Sequence, residues 1–190
     1  MKIIRYQDSN GATGFAALQP DGSHLALEGD IYHSPRLTSR KVSPAKLLAP
    51  IEPKMILCIG LNYKRHAAES NLSAPQFPVL FVKGVNTLQH PGEPILIPTH
   101  LASDEVDYEC ELAVVIGKAC KNVSRASALD YVLGYTCAND VSARDWQVKR
   151  GGGQWCRGKF FDTFAPLGPC LVTRDEIPNP NALRIRTILN

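Results

Sequence analysis

Residues 106–116 read Val-Asp-Tyr-Glu-Cys-Glu-Leu-Ala-Val-Val-Ile, and this stretch is the most informative about the fold. It opens polar and closes in a strongly apolar run, which predicts a strand that becomes buried towards its end. Successive side chains of a strand alternate between its two faces, so Asp107, Glu109 and Glu111 point the same way. Positions two apart lie about 6.5–7 Å from each other. Two flexible carboxylates at that spacing can converge on one hard cation, such as Mg2+, Mn2+ or Ca2+.

A second interpretation of this stretch is an amphipathic strand with a solvated acidic face, because charge runs usually lie on solvated faces. Carboxylates held close together without a cation repel one another, and desolvation adds to that cost. From these residues alone, both interpretations stay open.

The beginning of the chain has the pattern of a small β unit. Its strand candidates are Lys2–Tyr6, Thr13–Leu18 and His24–Leu27. The dipeptides Asn10-Gly11 and Asp21-Gly22 supply the turns between them. A polar stretch marked by prolines follows, and we place a boundary near Pro50. The predicted division is a small N-terminal β domain over residues 1–49 and a larger domain over residues 50–190, which carries the chemical motifs described below.

Short strands also outnumber helices in the rest of the chain. The further strand candidates are Met55–Gly60, Val79–Lys83, Tyr131–Ala138, Phe164–Val172 and Leu183–Leu189. Two stretches have helical character, Asn62–Ser70 and Asp140–Lys149. Because the helices are brief and the strands many, we predict an α+β fold that is mainly β rather than a doubly wound parallel sheet.

The composition excludes several classes of protein. With 44% hydrophobic and 21% charged residues, the chain is neither a disordered tail nor a collagenous or coiled-coil rod. A formal charge of +3 with scattered basic residues argues against nucleic acid as a partner. No apolar run approaches the roughly 18–20 residues that cross a bilayer, and we recognise no signal peptide. The six cysteines form no CxxC pair, so we expect free thiols and a cytoplasmic protein without a membrane partner.

Asp140 is a second candidate for chemistry, because it follows an apolar strand candidate and begins a stretch with helical spacing. Strand ends are positions where a scaffold displays ligating groups. On a helix, Arg144 and Gln147 would share a face with Asp140, which suits an anionic ligand held on a metal. Alternatively, Asp140 only caps the helix and Arg144 is its ordinary salt-bridge partner.

Lys159 lies between the glycine-rich segment Gly151-Gly152-Gly153 and the aromatic pair Phe160-Phe161. A lysine against apolar neighbours can stabilise a developing enolate or bind a carboxylate. The alternative is a surface lysine whose stem lies along apolar neighbours. The glycines match neither Gly-Lys-Ser/Thr nor GxGxxG, which argues against a phosphate site.

His66 and Glu69 are three residues apart in a helix candidate, which makes them neighbours on one face. A carboxylate beside an imidazole fixes its tautomer and raises its basicity, as a general base for water requires. A simple surface contact is the other interpretation of this pair. We find no serine nucleophile elbow and no cysteine arranged as a nucleophile.

Four motifs in sequence order together resemble the fumarylacetoacetate hydrolase (FAH) family. They are IGLNYxxHAxE at residues 59–69, DYECELAVVIG at 107–117, NDVSARDWQ at 139–147 and GKxFDTFxPxGP at 158–169. The likeness is to the small FAH-domain-containing members and to the bacterial isomerase/decarboxylase enzymes of aromatic catabolism. It implies a β-sandwich-like roll with a small N-terminal β unit, assembled as a homodimer.

The resemblance also implies an activity and its site. The activity is that of a divalent-metal-dependent hydrolase, lyase or isomerase acting on C–C bonds of small 2-oxo or 1,3-diketo acids, such as acylpyruvates, oxaloacetate or oxo-dienoates. Such acids chelate Mg2+ or Mn2+ (Ca2+ is a possible substitute in crystals), and the metal stabilises an enolate. The implied site residues are Glu109, Glu111 and Asp140 for the metal, His66, Glu69 and Lys159 for catalysis, and Arg144, Gln147 and Lys159 for substrate binding.

The chain departs from the family at its C-terminal side. Members usually continue well beyond a strand such as the one predicted at Leu183–Leu189, so we expect the catalytic domain to be incomplete at this end. The chain would then be a piece of a longer enzyme or a shortened homologue. The alternative function is therefore a non-catalytic family member that acts as a binding or assembly subunit.

Overall fold

The computed structural model describes residues 1–69 and 75–189, without the side chain of His66, and most regular structure in these residues is β. The strands described are β1 (Lys2–Gln7), β2 (Thr13–Leu18), β3 (His24–Glu28), β4 (Arg36–Lys41), β5 (Lys46–Leu48), β6 (Ile56–Gly60), β7 (Val79–Lys83), β8 (Leu88–Gln89), β9 (Val106–Asp107), β10 (Cys110–Ile116), β11 (Val132–Asn139), β12 (Ser142–Ala143) and β13 (Ala165–Thr173). The helices described are α1 (Lys64–Glu69), α2 (Cys156–Lys159), a π-helical turn (Asp145–Arg150) and 3-10 turns at Val85–Thr87, Ala128–Tyr131, Arg174–Glu176 and Pro180–Ala182. The prediction of a mainly β fold is confirmed.

Nine of the described strands form one sheet, in the order β10-β11-β13-β1-β2-β3-β4, with β5 beside β1 and β8 beside β13. All of its pairs are antiparallel except β8–β13. The hairpins that join β1, β2 and β3 turn at Gly11 and Gly22, whose φ angles of +84° and +81° favour glycine. Two smaller pairs, β6–β7 and β9–β12, stand apart from this sheet.

The N-terminal strands share their sheet and their core with the rest of the chain. Strand β1 pairs with β13 through Ile3 and Leu171, and both side chains are fully buried. They belong to one hydrophobic cluster together with Ala17, Leu27 and Val115. Burial of this apolar surface stabilises both parts at once. The division near residue 50 therefore stays a prediction about sequence units.

Three sequence expectations about elements need correction. The chain between residues 140 and 144 is not helical; it extends into β12, and the helical turn begins only at Asp145. The segment Leu183–Leu189 forms no strand in the described part of the chain. The acidic stretch is two strands rather than one, because residues 108 and 109 lie between β9 and β10 and belong to neither strand.

Within residues 1–69 and 75–189, no helix combines the length and the apolar character that a bilayer crossing requires.

Candidate active site

The backbone of two adjacent strands brings three of the predicted carboxylates together. Strands β10 and β11 pair with Glu111 opposite Ala138, and just beyond β11 the Asp140 N–H donates to the Glu109 carbonyl at 3.0 Å. Residues opposite each other in an antiparallel pair point to the same face, as do residues two apart on one strand. One oxygen from each of Glu109, Glu111 and Asp140 consequently lies within 4.8 Å of the others. We call these three side chains the carboxylate centre.

The carboxylate centre is not a solvated acidic face. The side chain of Asp140 is 4% exposed and that of Glu109 is 17% exposed. Three carboxylates held this close in a partly dry environment require compensating positive charge. The solvated-face interpretation is therefore wrong for these residues.

Lys159, at the end of α2, supplies part of that charge from inside the fold. Its side chain is 2% exposed. Its ammonium donates to Glu109 Oε1, Asp140 Oδ2 and Ser142 Oγ, each at 2.7 Å. These three bonds use all three ammonium protons. The interpretation of Lys159 as a surface lysine is wrong, and its predicted contact with substrate stays a prediction that requires one of these bonds to be exchanged.

Lys83, at the end of β7, is a second buried ammonium that we did not predict from the sequence. It donates to the backbone carbonyls of Val141 at 2.9 Å and of Lys159 and Phe164 at 2.8 Å. Its Nζ also lies 2.7 Å from Asp140 Oδ1. Asp140 Oδ1 thus shares this ammonium, which has three protons, with the three carbonyls. Burial lowers the pKa of Lys83, and the Asp140 carboxylate opposes that shift.

The residues of the carboxylate centre fit a divalent metal ion of the hard, oxygen-binding kind. Their donors are all oxygens, the set that Mg2+, Mn2+ and Ca2+ prefer. Asp140 Oδ1 is a buried acceptor whose neighbouring donor, the Lys83 ammonium, is shared with three carbonyls. Burial, followed by the charges of Asp140 and Glu109, raises the pKa of Glu111 to about 7. A cation placed between these oxygens would give Asp140 Oδ1 a further partner and would offset the repulsion that contributes to the raised pKa of Glu111.

Arg144 and Gln147 lie beside the centre, but not through the helical spacing that we predicted. Arg144 donates through Nε and Nη2 to Asp107 Oδ2 at 3.0 and 2.8 Å. Its Nη1 donates to Glu109 Oε1 at 2.8 Å and to Gln147 Oε1 at 3.0 Å. Arg144 is therefore not the i+4 partner of Asp140, and Asp140 does not cap a helix there.

These contacts determine the charge state of Glu109. Burial alone would raise the pKa of this carboxyl group, but the neighbouring cations Lys159 and Arg144 reverse the direction and lower it. Ser142 donates to the same oxygen, Oε1, at 2.8 Å and lowers it further. Glu109 thus remains a carboxylate, with Oε1 fixed by protein donors.

The helix predicted to carry the His66–Glu69 pair is present as α1. Glu69 is exposed, and the side chain of His66 lies outside the described part of the structure. Just before α1, the Tyr63 hydroxyl accepts the N–H of Leu112 in β10 at 2.8 Å, next to Glu111. This bond anchors the start of α1 beside the carboxylate centre. The role of the pair as a general base stays a prediction.

Cys58 on β6 lies near the carboxylate centre, and the charges of Asp140 and Glu111 contribute to a raised pKa of its thiol. Burial, followed by the charge of Asp140, raises the pKa of Cys58 to about 12. A thiol with this pKa stays protonated near neutral pH and is a poor nucleophile. We therefore assign Cys58 no role as a nucleophile.

Lys83 and Ser142 are the two contacts of the centre that the sequence reasoning missed. Ser142 stands in the third motif, two residues after Asp140, which could have signalled a role. Lys83 closes the apolar strand candidate Val79–Lys83, and the burial of such a lysine depends on carbonyls that are distant in sequence.

Comparisons with known proteins agree with this architecture. Residues 55–190 match the model of the fumarylacetoacetate (FAA) hydrolase C-terminal domain, and residues 1–50 match the Rv2993c-like N-terminal model. Among solved structures, 5-carboxymethyl-2-hydroxymuconate delta-isomerase from Mycobacterium smegmatis superposes with a TM-score of 0.78 at 39% sequence identity. That likeness covers 91% of this chain and 67% of the isomerase chain.

Two curated relatives are similar over most of this chain. The fumarylacetoacetate hydrolase domain-containing protein 2 homolog of Dictyostelium discoideum is 50% identical over 157 residues, which are 78% of this chain and 51% of the relative. Oxaloacetate tautomerase fahd2, mitochondrial, of Xenopus laevis is 52% identical over 149 residues, which are 78% of this chain and 46% of the relative. The chain spans about half the length of these two relatives.

Proposed function

The chain belongs to the fumarylacetoacetate hydrolase family, and we propose that it is a divalent-metal-dependent enzyme that acts on small 2-oxo or 1,3-diketo acids as a hydrolase, lyase or isomerase. The observation that carries this proposal is the carboxylate centre, three acidic side chains with oxygens within 4.8 Å of one another. The relatives named oxaloacetate tautomerase and 5-carboxymethyl-2-hydroxymuconate delta-isomerase support a small organic acid as substrate.

Glu109, Glu111 and Asp140 would hold Mg2+ or Mn2+ through the oxygens that the protein leaves free. When bound there, a divalent cation supplies Lewis-acid stabilisation to the oxyanion of an enolate. Two buried ammonium groups beside Asp140 limit the negative charge of the centre. An acid that brings its own carboxylate and oxo oxygens is therefore not repelled.

Gln147 and Lys159 would orient the substrate beside the centre. The Oε1 atom of Gln147 accepts from Arg144, so its amide NH2 is left to donate to a substrate oxygen. Lys159 can exchange one of its present bonds for a bond to the developing oxyanion. Preorganised donors of this kind stabilise the charge of the transition state more than that of the ground state.

His66 would move the proton that the reaction requires, and Glu69 would orient its imidazole. In hydrolysis, His66 would remove a proton from the water that attacks the distal carbonyl of a 1,3-diketo acid. The adjacent C–C bond then breaks, its electron pair becomes the enolate of the leaving 2-oxo acid, and that enolate takes up a proton. In isomerisation, the same group carries a proton from one carbon of the substrate to another. The place of His66 in α1, a helix whose start is tied to β10 by Tyr63, supports this assignment.

Turnover of an acylpyruvate and of oxaloacetate, followed by ultraviolet absorbance, tests this proposal. We expect EDTA to abolish turnover and Mg2+ or Mn2+ to restore it. Glu111→Gln removes one proposed ligand, so we expect its turnover to fall by about 100-fold or more, at least the loss seen when outer partners of a metal are removed. The control is Glu105→Gln, since Glu105 is an exposed carboxylate that pairs with Lys149.

Two results would refute the proposal. One is turnover by the wild-type protein that is unchanged after removal of metal. The other is a Glu111→Gln variant that is as active as the Glu105→Gln control. Homodimer assembly and a cytoplasmic location stay predictions from the sequence.

A further inference from the structure

Lys83 is a buried lysine whose contacts are all with the protein itself. Its side chain is 1% exposed, and its ammonium donates to the carbonyls of Val141, Lys159 and Phe164 at 2.8–2.9 Å. With all three protons used, Lys83 has none left for a substrate. A direct role in substrate binding is therefore unsuited to it.

The three carbonyls belong to segments that carry the active site. Val141 follows Asp140 directly, Lys159 carries the other buried ammonium of the centre, and Phe164 immediately precedes β13. Lys83 itself is on β7, which pairs with β6 outside the large sheet. One ammonium thus fixes the backbone at Asp140 and at Lys159 relative to each other and to β7.

The fourth neighbour of the Lys83 ammonium is Asp140 Oδ1, at 2.7 Å. This oxygen shares the Lys83 ammonium with the three carbonyls, whereas Oδ2 of the same carboxylate accepts from Lys159 at 2.7 Å. The two lysines therefore hold the carboxylate from both sides and leave a lone pair on Oδ1. A carboxylate held in this way is preorganised for a cation.

We propose that Lys83 is a positioning residue for the metal centre, which aims Asp140 Oδ1 at the cation through its contacts with Asp140 and with the three carbonyls. This inference rests on the proposed function, because it requires a metal between the carboxylates. Removing Lys83 leaves a buried carboxylate and three carbonyls without this donor, so we expect its variants to be less stable and compare metal affinity in folded protein only.

The positive charge of Lys83 and its anchoring contacts have opposite effects on the affinity of the carboxylate centre for a metal ion. The positive charge of Lys83 repels a divalent cation, so its removal alone would strengthen metal binding. Loss of the anchor would instead let Asp140 and the carbonyls move, which weakens binding. The sign of the change in affinity therefore separates a positioning role from a merely electrostatic one.

Titration with Mn2+, in which electron paramagnetic resonance counts the free ion, tests the inference. We expect Lys83→Met to weaken Mn2+ binding by about 10- to 100-fold, the range found for outer partners of metal ligands. Circular dichroism confirms that the variant is folded. Lys83→Gln, which keeps a neutral donor in the cavity, serves where Lys83→Met fails to fold. The matched control is Lys46→Met, which removes a lysine paired with Glu93 outside the centre.

The outcomes distinguish this inference from the proposed function. Weaker Mn2+ binding in the folded Lys83 variants, with wild-type affinity in Lys46→Met, supports the positioning role. Unchanged or tighter binding in folded Lys83 variants overturns it while the proposed function stands. A wild-type protein that binds no Mn2+ overturns both.

Discussion

The oxygens of the carboxylate centre differ in what they contact. Glu109 Oε1 accepts from Lys159, Ser142 and Arg144, and Asp140 Oδ2 accepts from Lys159. Asp140 Oδ1, by contrast, shares the single Lys83 ammonium with three backbone carbonyls. Protein donors therefore fix Glu109 Oε1 and Asp140 Oδ2, and they leave a lone pair of Asp140 Oδ1 for a ligand. At the scale of single residues, this division explains how a buried acidic cluster can be rigid and still bind a cation.

Glu111 gives the centre a pH-dependent stability when no metal is bound. The pKa of Glu111 in the folded chain, about 7, lies above the ordinary value of 4.5. Between pH 4.5 and pH 7, Glu111 is therefore protonated in the folded chain but largely ionised in the unfolded chain. Stability is therefore lost as pH rises through this window, and the full penalty applies above pH 7. We expect Glu111→Gln to stabilise the metal-free protein by about 1–3 kcal/mol at about pH 8, and by little at about pH 5.

Denaturant unfolding in EDTA at both pH values measures this difference. Glu105→Gln, which removes an exposed carboxylate, serves as the control. If Glu111→Gln has no advantage at the higher pH, then repulsion and burial do not act on this carboxyl group as we describe.

The sequence indicated the acidic residues of the site more readily than the basic ones. Alternation along a strand was enough to place Glu109 and Glu111 on one face, because that period is local. The position of Lys83 was not predictable in this way. A lysine at a strand end ordinarily reaches solvent, and its burial here depends on three carbonyls from residues 141 to 164.

Two short elements account for the largest differences between the expected and the observed secondary structure. Strands β9 and β12 pair through Asp107 with Ser142 and through Val106 with Ala143. This pairing draws the chain after Asp140 into an extended conformation, although its local pattern indicated a helix. Contacts between residues distant in sequence override local propensity in such cases.

The consequence of the β9–β12 pair is a different partner for Arg144. Because the chain is extended before it, Arg144 reaches Asp107 and Glu109 rather than Asp140. The local sequence pattern was enough to predict that Arg144 and Gln147 belong to the site, but not to predict which residues they contact. At the scale of elements, the strand positions of β1 to β3 were correct, while β4 and β5 were not predicted.

Tyr63 gives the next prediction, since it joins α1 to β10. Tyr63→Phe removes the acceptor of the Leu112 N–H and should cost about 1 kcal/mol of stability. We expect faster amide hydrogen exchange at Leu112 and in α1, together with slower turnover, because the general base is assigned to that helix. Mn2+ affinity should stay near the wild-type value.

Hydrogen exchange measured by mass spectrometry, combined with turnover and Mn2+ titration, checks this expectation. Tyr32→Phe is a matched control in the N-terminal part of the chain. Wild-type exchange in α1 and wild-type turnover in Tyr63→Phe would show that this bond does not hold the helix in place.

The whole molecule supports the site through a sheet that runs across both predicted domains. Strand β13 pairs with β1 on one side and with β11 on the other, and β11 leads directly to Asp140. The Asn-Gly and Asp-Gly turns made the N-terminal hairpins predictable, since their signals are local. The pairing of β1 with β13 joins residues from the two ends of the chain, and no local pattern could specify it. The structure thus connects the N-terminal strands to the carboxylate centre through continuous hydrogen bonding.

Anomalous diffraction from crystals soaked in Mn2+ tests the central claim most directly, because it locates the ion without reference to activity. Our account predicts one Mn2+ peak with an oxygen from each of Glu109, Glu111 and Asp140 at about 2.0–2.6 Å. A map with no peak among these three side chains, or with Mn2+ bound only elsewhere, would contradict it.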